Sequence, residues 1–92
     1  MPFATVDDPK SDTGYWHDLF ANVDYRSEGF TINLSDGLWH VRRNGNHCNA
    51  FPEKESAERN ARYNAGMRKY DRGEIDDDDA LLAKHAERLG LA

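Results

Sequence analysis

The chain contains a single cysteine, Cys48, only three prolines, and no apolar run near the roughly 20 residues that cross a bilayer. One cysteine excludes an intrachain disulfide and any cysteine-rich zinc site, and it suits a reducing compartment. The N-terminus lacks the charged-then-apolar pattern of a secretory leader, so a cytoplasmic location is expected. Apolar residues are also scarce, at 38% with a mean hydropathy of −0.92, so the core must be thin. Aromatics make up 11% of the chain, including Trp16 and Trp39, which is enough bulky surface to exclude wholesale disorder. At 92 residues the expectation is one domain over residues 1–92.

The net charge of −5 conceals a segregation. Cut at the turn signals Asp36-Gly37 and Gly73, the first segment has two cations against seven acids, the second eight against four, and the third two against six. A basic centre lies between acidic ends.

Residues 1–10, with Pro2 and Pro9, read as an irregular arm. Ser11 and Asp12 suit the cap of a helix over residues 13–23, where Tyr15, Trp16, Leu19, Phe20 and Val23 recur at helical spacing. Residues 24–29 read as a loop. The stretch 30–51 reads as three antiparallel strands joined by two-residue turns at Asp36-Gly37 and Asn44-Gly45. One hairpin pairs Leu34 with Trp39 and Ile32 with Val41; the other pairs Arg43 with Asn46, Val41 with Cys48 and Trp39 with Ala50. Both registers place Phe30, Ile32, Leu34, Trp39, Val41, Cys48 and Ala50 on one face, expected to be the core face. The opposite face presents Thr31, Asn33, His40, Arg42, His47 and Asn49.

Pro52 is expected to open a basic helix over residues 52–72, with Glu53, Glu55 and Glu58 early and Arg68, Lys69 and Arg72 late, matching the helix dipole. Its stripe of Ala57, Ala61, Asn64, Ala65 and Met67 suits close packing on the sheet, and Gly66 marks an expected kink or stop. Glu55 with Arg59 and Glu58 with Arg62 have ion-pair spacing. The acids Asp76, Asp77, Asp78 and Asp79 suit the start of a last helix over residues 76–90, with Leu81, Leu82, His85, Ala86 and Leu89 on its apolar face and Gly90 closing it. The expected fold class is α+β, in the order α-β-β-β-α-α, with a three-stranded antiparallel sheet packed against helices.

Catalytic patterns are missing. No nucleophile elbow or phosphate-cradling glycine loop occurs, and Cys48 is expected in the core as an inert thiol. His40 and His47 alone are too few ligands for zinc, and the acidic run lacks the spacing of a calcium loop, so neither a metal nor a cofactor is expected. The chain reads as a non-enzymatic binder. His40, Arg42, Arg43 and His47, with Arg59, Arg62, Arg68, Lys69 and Arg72 on the helix, form the candidate partner or phosphate contacts. Asp76, Asp77, Asp78 and Asp79 form a candidate acidic docking run.

The stretch from Gly37 to Gly45 (GLWHVRRNG), followed by Phe51, Glu55, Ala57 and Ala61, resembles the ββα unit of AP2-like and integrase arm-binding domains. That resemblance implies a sheet face laid on DNA. In size, acidity, lone cysteine and lack of catalytic motifs the chain is also similar to small phage-encoded host-takeover proteins, above all the anti-CRISPR proteins. This second resemblance implies a stoichiometric inhibitor that docks on a host protein or ribonucleoprotein complex, such as a CRISPR effector with its guide RNA, and excludes target DNA. The four aspartates would then occupy sites meant for DNA phosphates, while Arg42 and the basic helix would touch guide RNA or acidic protein. The expectation taken forward is this inhibitor or adaptor, with direct nucleic-acid binding as the alternative and no membrane partner.

Overall fold

A computed structural model describes Lys10 and residues 12–90. Of the irregular arm expected over residues 1–10, all but Lys10 falls outside them. The architecture is α+β: α1 (Thr13–Leu19), a 3-10 turn (Tyr25–Glu28), β1 (Phe30–Ser35), β2 (Leu38–Arg43), β3 (Asn46–Phe51), α2 (Lys54–Asp71) and α3 (Asp79–Arg88). The three strands form one antiparallel sheet in the order β1-β2-β3.

The tight turns set the sheet. Asp36 and Asn44 adopt positive φ of 53° and 51°, and the glycines after them 78° and 86°, the backbone that two-residue hairpin turns demand. The β1–β2 register is the expected one, with Leu34 opposite Trp39 and Ile32 opposite Val41. The β2–β3 register starts as expected, Arg43 opposite Asn46 and Arg42 opposite His47, and then slips by one residue at a bulge between Val41 and Arg42. Beyond it Val41 faces Asn49 and Trp39 faces Phe51. Three expectations are corrected: Cys48 is exposed rather than in the core, Ala50 lies opposite His40 rather than Trp39, and Asn49 leaves the polar face for the Val41 side. The slip has a physical return, because it brings the phenyl ring of Phe51 against the core where the expected register would have brought only a methyl.

Phe30, Val41, Ala57, Ala61 and Ala65 form the buried cluster, with Val23, Tyr25, Ile32, Trp39 and Phe51 packed around it. Small side chains at every fourth position of α2 let the helix lie close on the sheet. Leu34, expected in this core, is 58% exposed near the hairpin tip and outside the cluster. Among the described residues no helix packs on the opposite face of the sheet.

Several helix boundaries move. Residues 52–53 turn the chain, and α2 starts at Lys54 behind Glu53, two residues later than the proline suggested. It then runs unbroken through Gly66, which is buried. A Cβ at that position would run into the ring of fully buried Phe20, so glycine is there to admit the ring. The first helix ends at Leu19, short of the expected 23, because the chain turns at Phe20 to seat that ring. Asp24 caps the 3-10 turn that replaces the expected loop, accepting from the Arg26 N–H at 3.1 Å. Asp78 caps α3, accepting from the Ala80 and Leu81 N–H groups at 2.9 and 3.1 Å.

Two polar knots tie the helices together. His85, fully buried, directs Nδ1 to Asp12 at 2.7 Å and Nε2 to Asp18 at 2.8 Å, joining α3 to both ends of α1. Each ring nitrogen thus faces a carboxylate oxygen. Asp77 accepts from Lys10 Nζ and the Tyr15 hydroxyl at 2.7 Å each, and from the Tyr70 hydroxyl at 3.1 Å.

Candidate functional site

The cations singled out from the sequence do not form one surface. The sheet divides them: His40, Arg42 and His47 lie on its open face, whereas α2 and its arginines lie on the other. Strand alternation sets this division, since Arg42 is flanked by Val41 and Arg43, which point to the helix side.

On the open face the strands bring together Thr31 opposite Arg42 opposite His47, and Asn33 opposite His40 opposite Ala50. His40 Nδ1 and His47 Nε2 sit 3.1 Å apart, and His40 Nε2 is 3.2 Å from the Ser35 carbonyl oxygen. One of the two facing nitrogens donates and the other accepts. The guanidinium of this face is that of Arg42, which forms no ion pair within the described residues. Strands spaced about 4.8 Å apart make a platform of side chains comparable in width to a DNA major groove.

Arg43 turns to the helix side. Its Nε donates to the Glu28 carbonyl at 2.9 Å and its guanidinium lies 5.8 Å from the Phe30 ring centre. Beside it, Cys48, Asn49, Asn60, Asn64 and Met67 line an open cleft between β3 and α2.

Along α2 the cations divide again. Arg72 clasps Glu28 through two 2.7 Å hydrogen bonds and also pairs with Glu74, while Arg68 approaches Glu28 at 3.8 Å. The Arg72 guanidinium holds the Glu28 carboxyl below its ordinary range. These two arginines are committed to the fold. Arg59, Arg62 and Lys69 make no ion pair within the described residues, and the expected Glu55–Arg59 and Glu58–Arg62 pairs do not form. Arg59 and Arg62 instead line a cavity against α1.

The acidic run is likewise divided. Asp77 is the anchor of Lys10, Tyr15 and Tyr70, and these donors, Lys10 foremost, hold its carboxyl below the usual range. Burial and the Asp77 hydrogen bond push the Tyr15 hydroxyl up to about 12. Asp78 is the cap of α3. Asp76 and Asp79 alone of the four have carboxylates with no hydrogen-bond or ion-pair partner among the described residues.

Sequence reasoning missed the Asp12–His85–Asp18 knot. His85 read as one more member of an apolar stripe, although a histidine on such a stripe already called for buried acceptors. Among the described residues no group of three histidine, cysteine or acidic side chains is placed to hold a metal ion. Nor is any described helix long and apolar enough to cross a membrane. No protein-family model, curated protein or solved structure matches the chain.

Proposed function

We propose that the chain is a small, non-enzymatic nucleic-acid-binding module of the cytoplasm that lays the open face of its sheet on duplex DNA. The observation that carries this reading is the open face itself: α2 covers one side of the sheet, and the other presents Arg42, unpaired among the described residues, beside Thr31, Asn33, His40 and His47. Arg42 supplies a fork for phosphate or for a guanine edge, and the flanking amide, hydroxyl and imidazoles supply shorter-range donors and acceptors. The resemblance of the Gly37–Gly45 stretch to AP2-like and integrase arm-binding domains points the same way, since those domains use the same sheet face.

The anti-CRISPR-like inhibitor, docking on a host nucleic-acid-handling complex, ranks second. It rests on the start of α3, where Asp76 and Asp79 keep carboxylates for a basic partner while Asp77 and Asp78 are occupied within the fold. With half of the acidic run so occupied, the sheet face has the better claim.

The test is fluorescence anisotropy of a labelled DNA duplex across a salt series. Binding should weaken steeply with salt, and Arg42→Ala should lower affinity about tenfold and flatten the salt slope by about one unit. No binding at low salt, or an Arg42→Ala variant that binds like the parent, would overturn the reading.

A further inference from the structure

Arg59 and Tyr63 lie on the side of α2 opposite the Ala57, Ala61 and Ala65 stripe, and there α1 and α2 line a half-open cavity of about 270 Å³. Arg59 and Arg62 line it, with His17 from α1, the ring of Tyr63, and Phe20 behind. We propose that this cavity is an oxyanion site that takes a phosphate group, held by Arg59, Arg62 and His17.

Three observations converge on it. First, both arginines lack an ion pair within the described residues although Glu55 and Glu58 sit one turn away, whereas Arg72 on the same helix is clasped by Glu28 and Glu74. Asp18 also lines the cavity, but its carboxylate is engaged by His85 and Lys84, so the two guanidiniums keep a positive potential that a bound anion relieves, and the guanidinium fork fits phosphate geometry. Second, His17 is half-buried beside them, and burial together with the charges of Arg59 and Arg62 holds its ring toward the neutral form. Asp18 opposes that effect, but its carboxylate already accepts from His85 and Lys84. Third, the walls are aromatic: Tyr63 lies 5.5 Å from His17 and 6.2 Å from Phe20, centre to centre. These rings leave the arginines partly screened from solvent on that side.

The rest of a phosphorylated molecule has room on either side. His17 and Arg59 also line a neighbouring cavity with Ser56 and Asn60, and Arg62 lines another with Arg26. The site lies across the sheet from Arg42, so it stands independently of the DNA-binding reading.

Inorganic phosphate titrated at constant ionic strength, followed through the His17 Cε1 proton by NMR, tests it. The signal should shift saturably, and the His17 titration should move up as the anion offsets the two arginines. The Arg59→Gln/Arg62→Gln variant should lose at least about tenfold in phosphate affinity, since hydrogen bonds to charged groups exceed a decade each. Arg59→Lys/Arg62→Lys, which keeps the charges, should bind at intermediate strength. A His17 signal indifferent to phosphate, or an unchanged response in a folded Gln variant, would overturn the proposal. Competition separates the sources: displacement by a nucleoside monophosphate and not by a duplex assigns a free phosphorylated molecule, and displacement by the duplex assigns a nucleic-acid backbone.

Discussion

The ring of Phe20 lies on the backbone of Gly66, and this contact joins the end of α1 to the middle of α2. Alanine in a helix interior ordinarily gains about 1 kcal/mol over glycine. Here Gly66→Ala should instead lose about 1–3 kcal/mol, because its Cβ and the phenyl ring claim the same space. Phe20→Ala should be destabilising alone, by about 3–5 kcal/mol, yet Gly66→Ala should become neutral or favourable on that background. Urea denaturation of the four proteins in the cycle reads the coupling.

His85 carries the second prediction. His85→Leu keeps most of the volume but leaves Asp12 and Asp18 facing each other without the ring between them. The cost should be roughly 2–3 kcal/mol, below that of breaking a fully buried pair because Asp18 is partly solvated. A denaturation midpoint equal to the parent's would contradict the described knot.

The same knot sets the acid limb of stability. Asp12 and Asp18 are held below the ordinary aspartate range, chiefly by hydrogen bonds from His85. In the unfolded chain these carboxyls titrate near about 3.9. Between the two values the unfolded state binds more protons, so stability rises with pH there. The contribution is fully present above the unfolded value and is lost as pH falls through the folded ones. Thermal melts from pH 7 down to pH 2 should fall most steeply below about pH 4, and Asp12→Asn should flatten that limb.

How much of this was legible beforehand depends on the range of the interaction. Asn44-Gly45 and Asp36-Gly37 announced both hairpins, and the alternation of Phe30, Ile32, Trp39 and Val41 announced the core face. The bulge was hidden because Cys48 and Ala50 offered an alternation of their own; only the size of Phe51 argued for the slip, and weighing it requires the helix above. The small residues of α2 were visible as a packing stripe, but Gly66 read as a weak point because its partner Phe20 is 46 positions away. Arg72 and Glu28 are 44 positions apart and His85 and Asp12 are 73 apart, and no local pattern reveals such pairs. The candidate surface was therefore legible as a list of cations. Their division by the sheet, and the commitment of Arg68 and Arg72 to Glu28, belong to tertiary structure.

Cys48 reports on the bulge cheaply. An exposed thiol on β3 should react with a disulfide reagent in the native protein at a rate within about an order of magnitude of the denatured chain. The unslipped register would bury it beside Val41 and slow the reaction by far more.

The most direct test of the central claim is a map of amide and side-chain NMR shifts on titrating the isotope-labelled protein with a short DNA duplex. The account predicts the largest changes at Thr31, Asn33, His40, Arg42 and His47, with α3 silent. An open face that stays silent while the start of α3 or the helical side responds would contradict it.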